Sequence, residues 1–266
     1  MRKAKRTISG RTAVISGAAS GMGRSLAQRL AAHGSPVAIT DIDEPGLKET
    51  AASISGPVLT RVLDVRDADA QLAWGQEVRE WTPTVIGSVF NNAGVALACS
   101  VRDADPDDDQ WVWDINFHGV VNGTRAFLPI LVEQNEGAIV NTSSIFGLAA
   151  VGMQSAYCAA KFALCGFTES LALDLWDTGV QVRLVIPGPV DTEIWDQPGN
   201  EAPRYDGPLE PPSEVAAGIV AAIEGDGFEH YLPDLKGIAE FKTADIDTFL
   251  EGAAAMGRDD PPGGTA

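Results

Sequence analysis

The chain has 266 residues and a formal net charge of −18, from 19 basic and 37 acidic side chains. A field of that sign repels nucleic acid and anionic lipid, and it disfavours acidic protein partners. Hydrophobic residues make up 45% of the chain and aromatics 7%, which suits a compact soluble core, and no apolar run approaches the roughly 18–20 residues that cross a bilayer.

The chain opens on "MRKAKR", read as part of a basic, flexible tail over residues 1–10. The next stretch, "TISGRTAVISGAASG", is too polar and Gly-rich for the apolar region of a signal peptide, so the expectation is a cytoplasmic protein. The first strand, "TAVIS" (12–16), runs into a glycine cluster, "SGAASGMG", and then into a helical pattern, "GRSLAQRLAAHG" (23–34). A second strand, "PVAITD" (36–41), ends in Asp41. Helix "DEPGLKETAASI" (43–54), strand "VLTRVLDV" (58–65), helix "DADAQLAWGQEVREW" (67–81) and strand "TVIGSVFN" (84–91) come next. "DADPDDDQ" (103–110) concentrates the negative charge. It is read as a solvated loop and helix N-terminus, where carboxylates suit the dipole, because it lacks a calcium-loop pattern. A long helix over 110–134 precedes strand "GAIVNTS" (137–143), a second long helix over 154–177 and strand "VQVRLVIP" (180–187). The last strand is "EHYLP" (229–233).

Strands too apolar to have one wet face, alternating with amphipathic helices, predict an α/β fold. The expected fold is a doubly wound, mostly parallel, seven-stranded sheet with helices on both faces, forming one domain over residues 11–256. Two segments depart from the alternation. Residues 191–212 hold five prolines, six acids (Asp191, Glu193, Asp196, Glu201, Asp206, Glu210) and one base, Arg204. A loop of that length reads as a lid. Its Ile194, Trp195 and Tyr205 either cover a hydrophobic substrate or pack within the lid. Residues 257–266, "GRDDPPGGTA", read as a disordered tail. Three cysteines (Cys99, Cys158, Cys165) show no CxxC spacing and the three histidines are scattered, so no metal site is expected and Cys158 and Cys165 are read as buried thiols.

Gly17, Gly21 and Gly23 stand where a strand turns into a helix, the place where backbone N–H groups meet a phosphate. Asp41, closing the next strand, suits the hydroxyls of an adenosine ribose and repels a 2′-phosphate, which favours NAD over NADP. Arg24 is a small counterweight, as a cation near the loop. Phosphoryl transfer and serine hydrolysis are disfavoured, because the loop has neither GxxxxGK[ST] nor GxSxG. In "SAYCAAKFALCGF", Tyr157 and Lys161 lie one helical turn apart. Alone, that pair reads equally as a surface contact or as an acid–base pair in which the cation lowers the phenol's pKa.

Taken together, these motifs resemble the short-chain dehydrogenase/reductase family of Rossmann-fold, nicotinamide-dependent enzymes, from about residue 11 to residue 233. "SGAASGMG" is similar to the family's TGxxxGxG, with Ser16 in place of Thr. "LDV", "NNAG", "DINFHG", "IVNTSS", "YCAAK" and "IPGPVDT" come after it in the family's order. The resemblance implies a catalytic set of Asn116, Ser144, Tyr157 and Lys161. Tyr157 would be the general acid/base, Lys161 would lower its pKa and bind the nicotinamide ribose, Ser144 would hold the reacting oxygen, and Asn116 would anchor a water. It implies cofactor contacts from Gly17, Ser20, Gly21, Met22, Gly23, Asp41, Asp64, Val65, Asn92, Ala93, Gly94, Tyr157, Lys161, Pro187, Gly188, Val190 and Thr192.

The expected activity is NAD-dependent interconversion of a neutral, hydrophobic secondary alcohol and its ketone. Alternatives are an NADPH-dependent 3-ketoacyl reductase and a non-catalytic dinucleotide-binding homologue. The resemblance also implies a homotetramer or homodimer, paired through the two long helices.

Overall fold

The computed structural model of the protein describes residues 9–196 and 207–256. The expected tails therefore lie almost wholly outside the described residues, as do Glu201, Arg204, Tyr205 and Asp206 of the expected lid. Seven strands form one sheet: β1 (Thr12–Ser16), β2 (Val37–Asp41), β3 (Val58–Val62), β4 (Ile86–Asn91), β5 (Gly137–Thr142), β6 (Val180–Pro187) and β7 (Glu229–Leu232). Their spatial order is β3-β2-β1-β4-β5-β6-β7 and every neighbouring pair is parallel. β3 stops at Val62, so Asp64 and Val65 sit in the loop beyond it rather than in the strand.

Helices α1 (Gly21–Ala32), α2 (Glu44–Ala52) and α7 (Pro212–Glu224) cover one face. Helices α3 (Ala68–Trp81), α5 (Gly119–Gln134) and α6 (Ser155–Asp174) cover the other, with α4 (Pro106–Trp113) packed against α6. Successive strand residues alternate between the two layers. Ala13 and Ile15 pack with Leu26, Leu30 and Ile219, while Val14 packs with Trp74, Phe127 and Leu131 on the opposite side. Both faces of the central strands are thus dry, as a parallel sheet requires, while the edge strands β3 and β7 are partly exposed.

The acidic run does what its sequence suggests. Asp105 accepts from the Asp107 backbone N–H at 2.9 Å, Pro106 opens α4, and Asp107, Asp108 and Asp109 occupy its first turn. The helix expected over 110–134 is interrupted: a π-helical turn, Asp114–His118, separates α4 from α5. Past β7 the chain adds a helical hairpin that the strand pattern did not announce, α8 (Lys236–Ala244) and α9 (Ile246–Met256). Its two helices pack through Phe241 and Phe249, ring centroids 6.5 Å apart, and Lys242 lies 5.1 Å over the Phe162 ring of α6. Among the described residues, no helix is long and apolar enough to cross a membrane.

Candidate active site

The chain leaves β3 at one edge and returns as β4 on the far side of β1, so the strand order reverses between β1 and β4. A crevice opens at the carboxyl ends of strands at such a reversal. Every expected site residue except those on helices follows the carboxyl end of a strand: Gly17 after β1, Asp41 closing β2, Asn92–Gly94 after β4, Ser144 after β5 and Gly188 after β6.

The glycine turn is built by close approach. Gly17 has φ +69°, and a Cβ there would stand 2.7 Å from the Ala93 Cα. Gly21 has φ +50° and faces Thr192, whose methyl would be 3.0 Å from an added Cβ. The Ser16 hydroxyl, standing in the family's Thr position, accepts from the backbone N–H groups of Asn92 at 3.1 Å and Ala93 at 3.2 Å. Asn92 Nδ2 donates back to the carbonyls of Ser16 and Gly17 at 3.2 and 3.3 Å. One hydroxyl and one amide therefore fuse the "SGAASGMG" and "NNAG" turns into a single floor.

That floor fits a dinucleotide. The N-terminus of α1 has no side-chain cap from Ser20 and no acid in its first turn, so its N–H groups face outward uncompensated. Asn92 Oδ1 is buried and has no partner within the protein. Asp41 Oδ2 accepts from the Ala19 N–H at 2.9 Å and Oδ1 from the Asp43 N–H at 3.1 Å, which ties the loop to β2 and holds the carboxylate in place. Arg24 is not the phosphate cation that its position suggested. It donates to the Ala19 and Gly46 carbonyls, to Thr50 Oγ1 and to Glu49, bracing α1 against α2. Asp64 is held by Arg66, whose guanidinium keeps the carboxyl below its ordinary value.

The four expected catalytic residues converge. Tyr157, Lys161, Ser144 and Asn116 are all buried. Tyr157 and Lys161 sit on the sheet-facing side of α6. Ser144 caps the short turn Ile145–Gly147 by accepting from the Phe146 N–H at 3.2 Å, and it stands near enough to the Tyr157 phenol to favour its charged form. Lys161 Nζ donates to the Thr142 carbonyl at 2.9 Å and lies 5.7 Å from the Tyr157 ring centroid. A Cβ on Gly94 would stand 2.9 Å from Asn116 Oδ1 and 3.6 Å from Lys161 Nζ, so both polar tips border the same point of the "NNAG" turn.

Burial pushes the Tyr157 phenol up to about 12, against the pull of Ser144, and pushes the Lys161 ammonium down to about 8. The Asn116 side chain is also committed. Its Nδ2 donates to the Val95 carbonyl at 2.8 Å and the Val112 carbonyl at 2.9 Å, and its Oδ1 accepts from the Val95 N–H at 3.4 Å. It locks the loop after β4 to the π-turn.

Beyond the tetrad, Tyr157 belongs to an apolar cluster with Ala96 and Val112, bordered by Val95, Leu97, Trp111, Phe146, Ile194 and Trp195. The Trp195 ring lies 6.4 Å from the Tyr157 ring, so the described start of the lid turns its aromatic residue toward the expected acid–base residue. The lid's stem is closed by a bridge between Val190 and Glu210, with the Asp191 N–H donating to the Glu210 carbonyl at 3.0 Å. A separate surface cavity of about 310 Å³ beside Arg79, Thr84 and Gln134 lies at the amino end of β4, away from these residues.

The sequence did not reveal the Thr142 carbonyl as the Lys161 partner, nor the buried hydrogen bonds that join Asn91, Asn141 and Thr168 beneath the tetrad. No periodicity marks such residues, since a lone Asn or Thr in a strand or helix has no distinctive pattern.

A family profile described as short chain dehydrogenase matches residues 11–202. The chain belongs to the short-chain dehydrogenase family. It is 42% identical over 193 residues to the Mycobacterium tuberculosis protein SadH, spanning 71% of this chain and 70% of that one. Among solved structures it is similar to a Burkholderia phymatum short-chain dehydrogenase/reductase in complex with NAD, with TM-score 0.82 and 29% identity over 91% of this chain and 95% of the other. It is also similar to a Burkholderia cenocepacia short-chain dehydrogenase in complex with NADP, with TM-score 0.81 and 26% identity over 93% and 99% of the chains. α7, β7 and the α8–α9 hairpin lie beyond the matched residues.

Proposed function

We propose that the protein is an NAD(H)-dependent oxidoreductase acting on a neutral, hydrophobic secondary alcohol or its ketone, with Tyr157 as general acid/base. The observation that carries this reading is the buried convergence of Ser144, Tyr157 and Lys161 beside the fused glycine floor. The bound nicotinamide would accept or supply the hydride. Tyr157 takes the proton from the carbinol oxygen during oxidation and returns it during reduction. Ser144 hydrogen-bonds that oxygen as its charge develops, and the Lys161 ammonium stabilises the phenolate. A phenol held near 12 is a poor base, so the cofactor's positive charge must join that of Lys161 to bring it into working range.

The preference for NAD rests on Asp41, since solved relatives hold either dinucleotide. Its carboxylate, fixed by Ala19 and Asp43, would meet a 2′-phosphate with like charge. The substrate class rests on the apolar border of Tyr157, from Val95 to Trp195, and on Asp191, Glu193 and Asp196 in the lid's described start, which disfavour anions.

A thermal-shift titration with NADH and, separately, NADPH tests the cofactor. Ligand at 100 times its dissociation constant stabilises by about 2.7 kcal/mol. For a chain of this size that raises the melting temperature by roughly 5–10 °C. NADH is expected to produce that shift and NADPH a smaller one. A shift with NADPH alone would remove the Asp41 argument and favour the ketoacyl reductase. No shift with either would favour a homologue without cofactor chemistry.

A further inference from the structure

A continuous line of buried polar side chains crosses the sheet beneath the tetrad. Asn91 Nδ2 on β4 donates to Thr124 Oγ1 of α5 at 3.2 Å and to Asn141 Oδ1 of β5 at 2.9 Å. Asn141 Nδ2 donates to Thr168 Oγ1 of α6 at 3.0 Å, and Thr168 Oγ1 donates to the Leu164 carbonyl at 2.7 Å. None of the four side chains is more than 5% exposed. Apolar residues of similar size would fill that volume without any polar group to satisfy. A hydrogen bond differs from apolar packing in fixing both distance and direction.

The direction matters because of what α6 carries. Tyr157, Lys161, Leu164, Thr168 and Leu171 recur at helical spacing and are all buried, so one stripe of α6 holds both the reacting groups and the end of the polar line. On the strand side, Asn141 directly precedes Thr142, whose carbonyl receives Lys161, and stands three residues before Ser144, the neighbour of the Tyr157 phenol. A slide or rotation of α6 against β5 would therefore break the Asn141–Thr168 bond and the two catalytic contacts together. At its other end the line reaches Thr124 on α5, the helix that continues from the π-turn bearing Asn116.

We propose that Asn141 and Thr168 are positioning residues that set the register of α6 on β5, and so hold Tyr157 to Ser144 and Lys161 to the Thr142 carbonyl. This rests on the acid–base reading of Tyr157. It is tested on protein saturated with NAD, by following tyrosinate absorbance against pH with Tyr157→Phe as the blank. Wild type is expected to show a Tyr157-dependent midpoint. Thr168→Val, which keeps the shape and loses the hydroxyl, should raise that midpoint by about one pH unit, a tenfold loss of phenolate at a given pH. Thr168→Ser should restore it. If Thr168→Val does not fold, Thr168→Ala makes the same comparison. An unmoved midpoint in the folded variant overturns the positioning role, whatever its melting temperature. If wild type and Tyr157→Phe titrate alike wherever the protein stays folded, the acid–base reading itself fails, and Asn141 and Thr168 have nothing to position.

Discussion

Two buried ionisable side chains one helical turn apart carry opposite shifts, and both come from the same cause. Taking charge out of water favours the neutral phenol of Tyr157, raised to about 12, and the neutral amine of Lys161, lowered to about 8. Losing the phenol should cost the proton transfer alone: Tyr157→Phe is expected to reduce turnover by about 10²–10⁴-fold while leaving the NADH thermal shift intact. The amine yields a stability prediction. Between pH 8 and 10.5 the unfolded Lys161 still binds its proton while the folded one has released it, so stability rises with pH across that window. Lys161→Met removes this contribution. Measured by denaturant midpoints, wild type should gain on Lys161→Met as pH climbs through the window; a constant difference would contradict the buried, depressed amine. That Asn116, Ser144, Tyr157 and Lys161 would come together was legible because they lie in short motifs in a fixed order. Asn141 and Thr168 were not, because their partnership spans 27 positions and exists only once β5 and α6 are packed.

At the scale of elements, the sheet was readable and the breaks in the helices were not. The central strands, buried on both faces, announce themselves as continuous apolar runs; all seven strands were anticipated, with the ends of β3, β5 and β7 placed too late, β3 by three residues. The π-turn at Asp114–His118 gives no such signal, since "WDINFHG" reads as uninterrupted helix. Asn116 explains why the turn is tolerated. Its amide supplies donors to the Val95 and Val112 carbonyls from a fully buried position. Asn116→Ala would leave buried acceptors without partners, at a cost of about 1–3 kcal/mol in unfolding free energy. Urea denaturation should show a lowered midpoint with an unchanged slope. A midpoint equal to wild type would mean that water replaces the amide at no cost. The α8–α9 hairpin was missed for another reason. Its apolar residues Ile238, Phe241, Ile246, Phe249 and Leu250 recur at helical spacing, but they come after the last strand, where the strand–helix alternation had already ended.

At the scale of the whole molecule, the outward face of α6 stands out. Ala159, Phe162, Gly166, Glu169 and Leu173 are exposed along it, and Trp176 lies just past its end. Leu173 and Trp176 are 70% and 67% exposed, Phe162 is covered in part by Lys242, and Val132 of the neighbouring α5 is 43% exposed. Glu169 is the one charge among them. A chain of net charge −18 has ample acidic side chains with which to solvate a helix, so a nearly uncharged, apolar face suggests that something covers it. A second copy of the same face is the simplest cover, because an isologous contact buries the patch twice. We therefore expect a homodimer through α5 and α6, or a tetramer built from it, to sediment at micromolar concentration. Leu173→Glu combined with Trp176→Glu places four carboxylates in such an interface and should shift the mass to one subunit, while the NADH thermal shift persists because the cofactor floor lies at the opposite surface of the helix. A single-subunit mass for wild type would leave the α6 face for a different partner. An assembled double variant would place the interface elsewhere, with the α8–α9 hairpin and its half-exposed Phe241 and Leu250 the next surface to change.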